Sequence, residues 1–136
     1  MRPYALRAGE GRTYRYGIDF TVKAGERESG RGAAVTEYVT RKGEEPPDHT
    51  HLTEDEIFYV LSGEVAFHCG GETFTVGGGG FVYLPKGITH GYTILSDGDV
   101  RLLAITFPTR ESTGDGWGGF IADLEKDGEL VSETPE

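Results

Sequence analysis

Three histidines and one glutamate carry the chemistry this sequence can do. In "EEPPDHTHLTEDEIFYVLSG", residues 44–63, His49 and His51 are one residue apart. Side chains two apart on an extended chain face the same side, so the two imidazoles share one space. Pro46 and Pro47 favour extension, because each proline biases its predecessor away from the helical region. His90 arrives later in "PKGITHGY", where proline and glycine shape a turn and the histidine opens the next strand. Glu56 opens an apolar run, a place where a carboxylate without a partner is costly to bury. Neutral imidazoles with one carboxylate form a first shell for a divalent first-row metal and leave positions open for water or substrate. Glu56 stands an odd number of residues from His51, so an unbroken strand would send it to the opposite face. "LTED", residues 52–55, must then act as a turn if Glu56 is to join the histidines.

Other candidates carry ordinary readings. His68 is expected as a surface or satisfied histidine, and Cys69 as a small buried strand residue. The acids Glu44, Glu45, Asp48, Glu54 and Asp55 are expected as solvated loop charges. Trp117, in "GDGWGGF", is expected to anchor the C-terminal segment to an outer wall, with a lid over the site as the alternative. The glycines at 77–80 have no following helix and no Lys-Ser/Thr pair, so they make a hairpin turn and not a phosphate loop.

The elements that must position these residues are short. Strand-like runs recur at 14–22, 33–40, 56–63, 64–69, 72–76, 81–85, 90–95 and 100–107, separated by Gly-, Pro- and Asp-containing turns. Many short strands at even spacing predict an all-β sandwich or barrel. After Pro108 a loop leads to a short helix in "FIADLEKDGEL" with Gly128 at its end and Phe120, Ile121 and Leu124 as its buried side. "VSETPE" is expected as a frayed acidic tail. The expected organisation is one domain over 1–136, with the site core at 43–94 and the loop, helix and tail at 109–136.

Composition narrows the function classes. The net charge is −10, and the stretch 123–136 carries about half of it, with no basic stripe anywhere. Nucleic acid and anionic membrane both reward clustered Lys and Arg, so neither is expected as a partner. A single cysteine allows no intrachain disulfide, and "MRPYALRAGE" lacks the apolar core of a secretion signal. A cytoplasmic location is the expectation.

The same residues resemble the cupin family. Its first motif runs glycine, five residues, His-x-His, three or four residues, glutamate, six residues, glycine, and Gly43, His49, His51, Glu56 and Gly63 fill it. Its second runs glycine, five residues, Pro-x-Gly, two residues, histidine, three residues, asparagine. Gly79, Pro85, Gly87 and His90 fill all but the last, where Ile94 stands. The resemblance implies a single jelly-roll barrel with a short C-terminal helix. It also implies His49, His51, Glu56 and His90 as ligands of one divalent transition metal (Mn, Fe(II), Co, Ni, Cu or Zn), and it alone fixes Glu56 in that set. Within the family the stretch is similar to the quercetin dioxygenase group, which implies oxygen chemistry on a small aromatic or enolisable substrate with Glu56 doubling as general base. A redox-free isomerase, a polyketide-type cyclase and a non-catalytic small-molecule binding protein are the alternatives. By strand parity Phe58 and Val60 share the face of Glu56, and Tyr92 and Ile94 that of His90, so these four are the expected substrate pocket. Small cupins often pair their N-terminal strands across a dimer, so a homodimer is expected.

Overall fold

A computed structural model describes residues 1–135. The elements are β1 (Gly11–Tyr16), β2 (Ile18–Ala24), α1 (Glu26–Ser29), β3 (Ala34–Thr40), β4 (Glu56–Ser62), β5 (Glu64–Cys69), β6 (Glu72–Gly77), β7 (Phe81–Leu84), β8 (His90–Ile94), β9 (Val100–Thr106), α2 (Trp117–Asp127) and β10 (Glu129–Thr134). They form a seven-stranded sheet in the order β10-β1-β2-β3-β9-β4-β7 and a three-stranded sheet in the order β6-β5-β8. The strand pairs are antiparallel throughout.

Alternation along the strands builds the interior. On β9, Val100, Leu102, Ala104 and Thr106 are buried while their neighbours face outward, and on β5 the buried set is Val65, Phe67 and Cys69. Phe58 and Val60 on β4 meet these residues in the space between the sheets, where a phenylalanine contributes roughly 1.5–3 kcal/mol by leaving water. Cys69 is a free, buried thiol on an inward pleat, as its strand position implies.

Glycines make the corners. The run expected over 14–22 is two strands folded at Gly17, whose φ of 80° suits a residue without a Cβ. Gly63 closes β4 at φ 95°, and a Cβ there would also overlap the Val100 side chain beneath it.

The C-terminal region departs from expectation. Trp117, Phe120, Ile121 and Leu124 follow helical spacing on α2, with Ile121 and Leu124 fully buried and Phe120 partly so. Gly128 caps the helix, its N–H donating to the Leu124 carbonyl at 2.9 Å. The chain then does not fray. Residues Glu129–Thr134 form β10, paired along β1 with a register shift at Thr13/Tyr14. Every side chain of β10 is exposed, so the strand rests on backbone hydrogen bonds to β1 and leaves no apolar alternation to read in the sequence. Arg27 on α1 adds ion pairs to Glu125 at 3.4 Å and Glu133 at 3.6 Å, exposed contacts of small worth.

Candidate metal centre

His90 is the first residue of β8, and the chain bearing His49 and His51 runs beside it. The expected strand is reduced there to one rung, with His49 N–H donating to the His90 carbonyl at 3.0 Å and His90 N–H returning the bond at 2.9 Å. Pro46 and Pro47 explain the brevity, since neither offers an N–H to extend the ladder. The His51 carbonyl accepts the Gly87 N–H at 2.7 Å, which ties the two motif segments together. The chain bends at Leu52 and Thr53, and this bend brings Glu56 at the start of β4 onto the histidines' side. Asp115 holds the bend, accepting from Leu52 N–H at 2.6 Å, Thr53 N–H at 3.2 Å and the Thr53 hydroxyl at 2.7 Å.

The four side chains converge. His49, His51, Glu56 and His90 each offer a ligand atom, and these atoms lie within 4.8 Å of one another. Glu56 Oε1 is 3.1 Å from His90 Nε2 and 3.5 Å from His51 Nε2. Glu56 Oε1 and His90 Nε2 are both buried and neither has a hydrogen-bond partner. Buried polar atoms are ordinarily satisfied, so these unpartnered atoms, gathered with the other two within 4.8 Å, fit a cation. His49 Nδ1 lies 2.9 Å from the Pro47 carbonyl, which sets the proton on Nδ1 and leaves Nε2 free to ligate. Burial holds the His51 imidazole below its ordinary range, with Glu56 opposing, and favours the neutral form that ligation requires.

Glu56 is 2% exposed, and its second oxygen is not left to water. Trp117 Nε1–H donates to Glu56 Oε2 at 2.6 Å. The tryptophan therefore reaches into the site, against the expected anchoring on the outer wall. The cause is the segment 107–116, which returns across the barrel end and starts α2 beside Thr106, whose Oγ1 accepts the Trp117 N–H at 2.8 Å.

A cavity of about 530 Å³ opens beside the four side chains. Phe20, Tyr38, Phe58, Phe67, Tyr92 and Trp117 supply its aromatic wall. The Tyr38 and Tyr92 hydroxyls are 3.1 Å apart, and burial pushes both phenols up, Tyr92 to about 12, so both stay protonated at neutral pH. Of the four pocket residues expected from parity, Phe58 and Tyr92 line this cavity. Val60 and Ile94 share their faces but are 0% and 1% exposed within the core, away from the lining. Parity fixes a side chain's face and not its depth along the barrel, which accounts for the difference.

The loop acids are more engaged than solvated charges. Glu54 is 2% exposed beneath Gly116. Glu45 accepts the Ile94 N–H at 3.0 Å, Asp55 accepts from the Tyr83 hydroxyl at 2.5 Å and from Lys86 N–H at 2.9 Å, and Glu44 lines the cavity. Asp48 pairs with His68 at 2.8 Å on the outside of β5, so His68 is a satisfied surface histidine, as expected. Burial pushes the Asp115 carboxyl up, but its hydrogen bonds from Thr53 and Leu52 outweigh that and leave it below its ordinary value.

Comparison with known proteins agrees with this architecture. The cupin domain model matches residues 37–106, about half of the chain, and the chain belongs to the cupin family. Over 105 residues it is 33% identical to the quercetin 2,3-dioxygenase of Bacillus subtilis, a match covering 76% of this chain. The chain spans 31% of that enzyme's length. It is also 33% identical over 78 residues to an uncharacterized protein of Streptomyces coelicolor, covering 57% of this chain and 72% of that one. Among solved structures, a predicted oxalate decarboxylase from Thermotoga maritima superposes with a TM-score of 0.68 at 18% identity, covering 78% of this chain and 100% of the other. An RmlC-like cupin from Shewanella frigidimarina gives 0.64 at 17% identity, covering 81% and 95%. At these identities the two structures establish the fold alone. Among the described residues no helix is long and apolar enough to cross a membrane.

Proposed function

We propose that this cupin is a metal-dependent enzyme of the dioxygenase type, acting on a small aromatic or enolisable molecule. The observation that carries the reading is the convergence of His49, His51, Glu56 and His90 on one point at the wall of an aromatic cavity. The similarity to the Bacillus subtilis enzyme supports the choice of chemistry, and the aromatic lining supports the choice of substrate. His49, His51, His90 and Glu56 Oε1 would hold the ion, one of Mn, Fe(II), Co, Ni, Cu or Zn, whose donor preferences all accept imidazole with a carboxylate. When bound, it supplies Lewis acidity and, for the redox-active members of that set, electron transfer.

The chain's own residues do the rest. Phe20, Phe58 and Phe67 pack a flat substrate and exclude water from it. Tyr38 and Tyr92, kept protonated and bonded to each other, leave one O–H to donate to an oxygen substituent. Oε1 of Glu56, the oxygen that Trp117 leaves free, accepts the proton that an incoming hydroxyl must lose, the general-base part of its role.

A homodimer in the cytoplasm, without nucleic acid, completes the proposal. Its expected dimer contact moves, because β10 already covers the β1 edge. The outer face of β4 and β7 supports the pairing instead, where Tyr59, Phe81 and Tyr83 stand together, half exposed, in adjacent register. An exposed aromatic patch of this kind suits a contact between identical copies.

The test is oxygen consumption with a flavonol and with a catechol, on protein purified without chelators or an affinity metal column. Uptake that scales with content of a redox-active metal is the expected result. Metal without uptake on either compound would turn the reading toward a Lewis-acid isomerase or cyclase, or toward a binding protein.

A further inference from the structure

The segment Asp115–Gly116–Trp117 lies beyond the residues matched by the family model, yet each of its members engages the metal centre's supports. Asp115 fixes the bend one residue after His51 through the Leu52 and Thr53 amides. Gly116 is buried where a Cβ would overlap both the Glu54 carboxylate and Thr106 Oγ1, so the chain passes only as glycine. Trp117 then delivers its indole N–H to Glu56 Oε2 at 2.6 Å. The ring is held from behind by Tyr38 and Phe120, at centroid distances of 5.6 and 5.2 Å, so its aim does not depend on the bond it makes.

We propose that Trp117 is a positioning residue that keeps Glu56 one-armed: it occupies Oε2, so that only Oε1 faces the three histidines and one coordination position stays open. This rests on the metal-centre reading above. A free carboxylate can present both oxygens to a cation, and the second would take the position that a substrate or water needs. Oε1 lacks any hydrogen-bond partner while Oε2 has a short one, which is the asymmetry the role requires. Bonds of this kind to a ligand's far atom typically set metal affinity by about 10–100-fold. The sequence contains one tryptophan, so the indole N–H is a unique reporter.

The experiment has two readouts. In metal-free, nitrogen-15-labelled protein, the single indole N–H resonance is expected far downfield, as a bond to a carboxylate requires, and is expected to move upfield in Glu56→Gln, where the acceptor is uncharged. An indole resonance indifferent to Glu56→Gln overturns the proposal. In parallel, cobalt(II) affinity by chelator competition is compared among the unaltered protein, Trp117→Phe, Glu56→Gln and the double variant. Trp117→Phe, which frees Oε2 to take the open position, is expected to change cobalt affinity about 10–100-fold and to change it little in the Glu56→Gln background. Equal cobalt affinity in Trp117→Phe and the unaltered protein, or the same change in both backgrounds, would reduce Trp117 to packing and overturn the proposal. Failure of the unaltered protein to bind cobalt would instead sink the metal-centre reading, and the indole resonance tells the two failures apart because it reports the bond with no metal present.

Discussion

Two stretches of chain meet at the two oxygens of Glu56. Gly43–Ile94 brings the candidate ligand atoms themselves, through a loop, a bend and the first residues of β4 and β8. Asp115–Trp117 brings no ligand and instead holds the bend and the far oxygen of Glu56. Fixed spacing makes the first stretch recognisable, because a metal shell needs particular side chains at particular intervals. The second works through backbone path and one indole, and "DGW" has no spacing to anything it touches. The difference shows that donors can be written locally while their restraint depends on where the chain returns.

The comparison can be broken most severely at Gly116. Gly116→Ala forces a methyl against the Glu54 carboxylate and Thr106, and overpacking of this kind costs about 1–3 kcal/mol. Chemical denaturation should show that loss, and cobalt(II) titration a changed affinity, since Trp117 is displaced with the chain. Metal affinity unchanged at lowered stability would separate the segment from the site.

Asp115→Ala is expected next, at about 1–2 kcal/mol for the hydrogen bonds it removes from one exposed and two partly buried donors. Faster amide exchange at Leu52 and Thr53, with little change on β5 and β6, would show that the effect is local to the bend. Uniform acceleration across both sheets would mean that Asp115 serves the whole fold instead.

The smallest effect probes the motif side. Hydrogen bonds from the Ile94 amide, from its own backbone N–H and from the Gly43 amide lower the Glu45 carboxyl below its ordinary value. A carboxylate whose folded value is depressed stabilises the protein above its unfolded pKa, and that contribution disappears as the pH falls through the folded value. Glu45→Gln should therefore lower stability slightly at neutral pH and flatten its decline on the acid side, as read from urea midpoints between neutral and acidic pH. An acid limb as steep as that of the unaltered protein would place the pH dependence elsewhere.

Much of the barrel was legible because inward and outward residues alternate on β3, β4, β5 and β9. Three features escaped for separate physical reasons. β10 buries no side chain, so its pairing with β1 left no pattern. Val60 and Ile94 lie in the core away from the cavity lining, which alternation cannot tell, because it carries no information about depth. The contact of Trp117 with Glu56 is not legible because nothing near the tryptophan in sequence announces a residue sixty-one positions away. One signal was present: Gly114 and Gly116 flank Asp115 just before a tryptophan, a composition that permits a close backbone approach. For Glu56 itself, parity argued against the shared face until the bend at Leu52 and Thr53 resolved it.

His49, His51, Glu56 and His90 are proposed to hold one metal ion. Metal stoichiometry by elemental analysis of the unaltered protein, His51→Ala and Glu56→Ala, each purified without chelators and shown by circular dichroism to be folded, tests it most directly. The account predicts close to one equivalent in the unaltered protein and loss of most of it in both variants. Full metal content in both folded variants would contradict it.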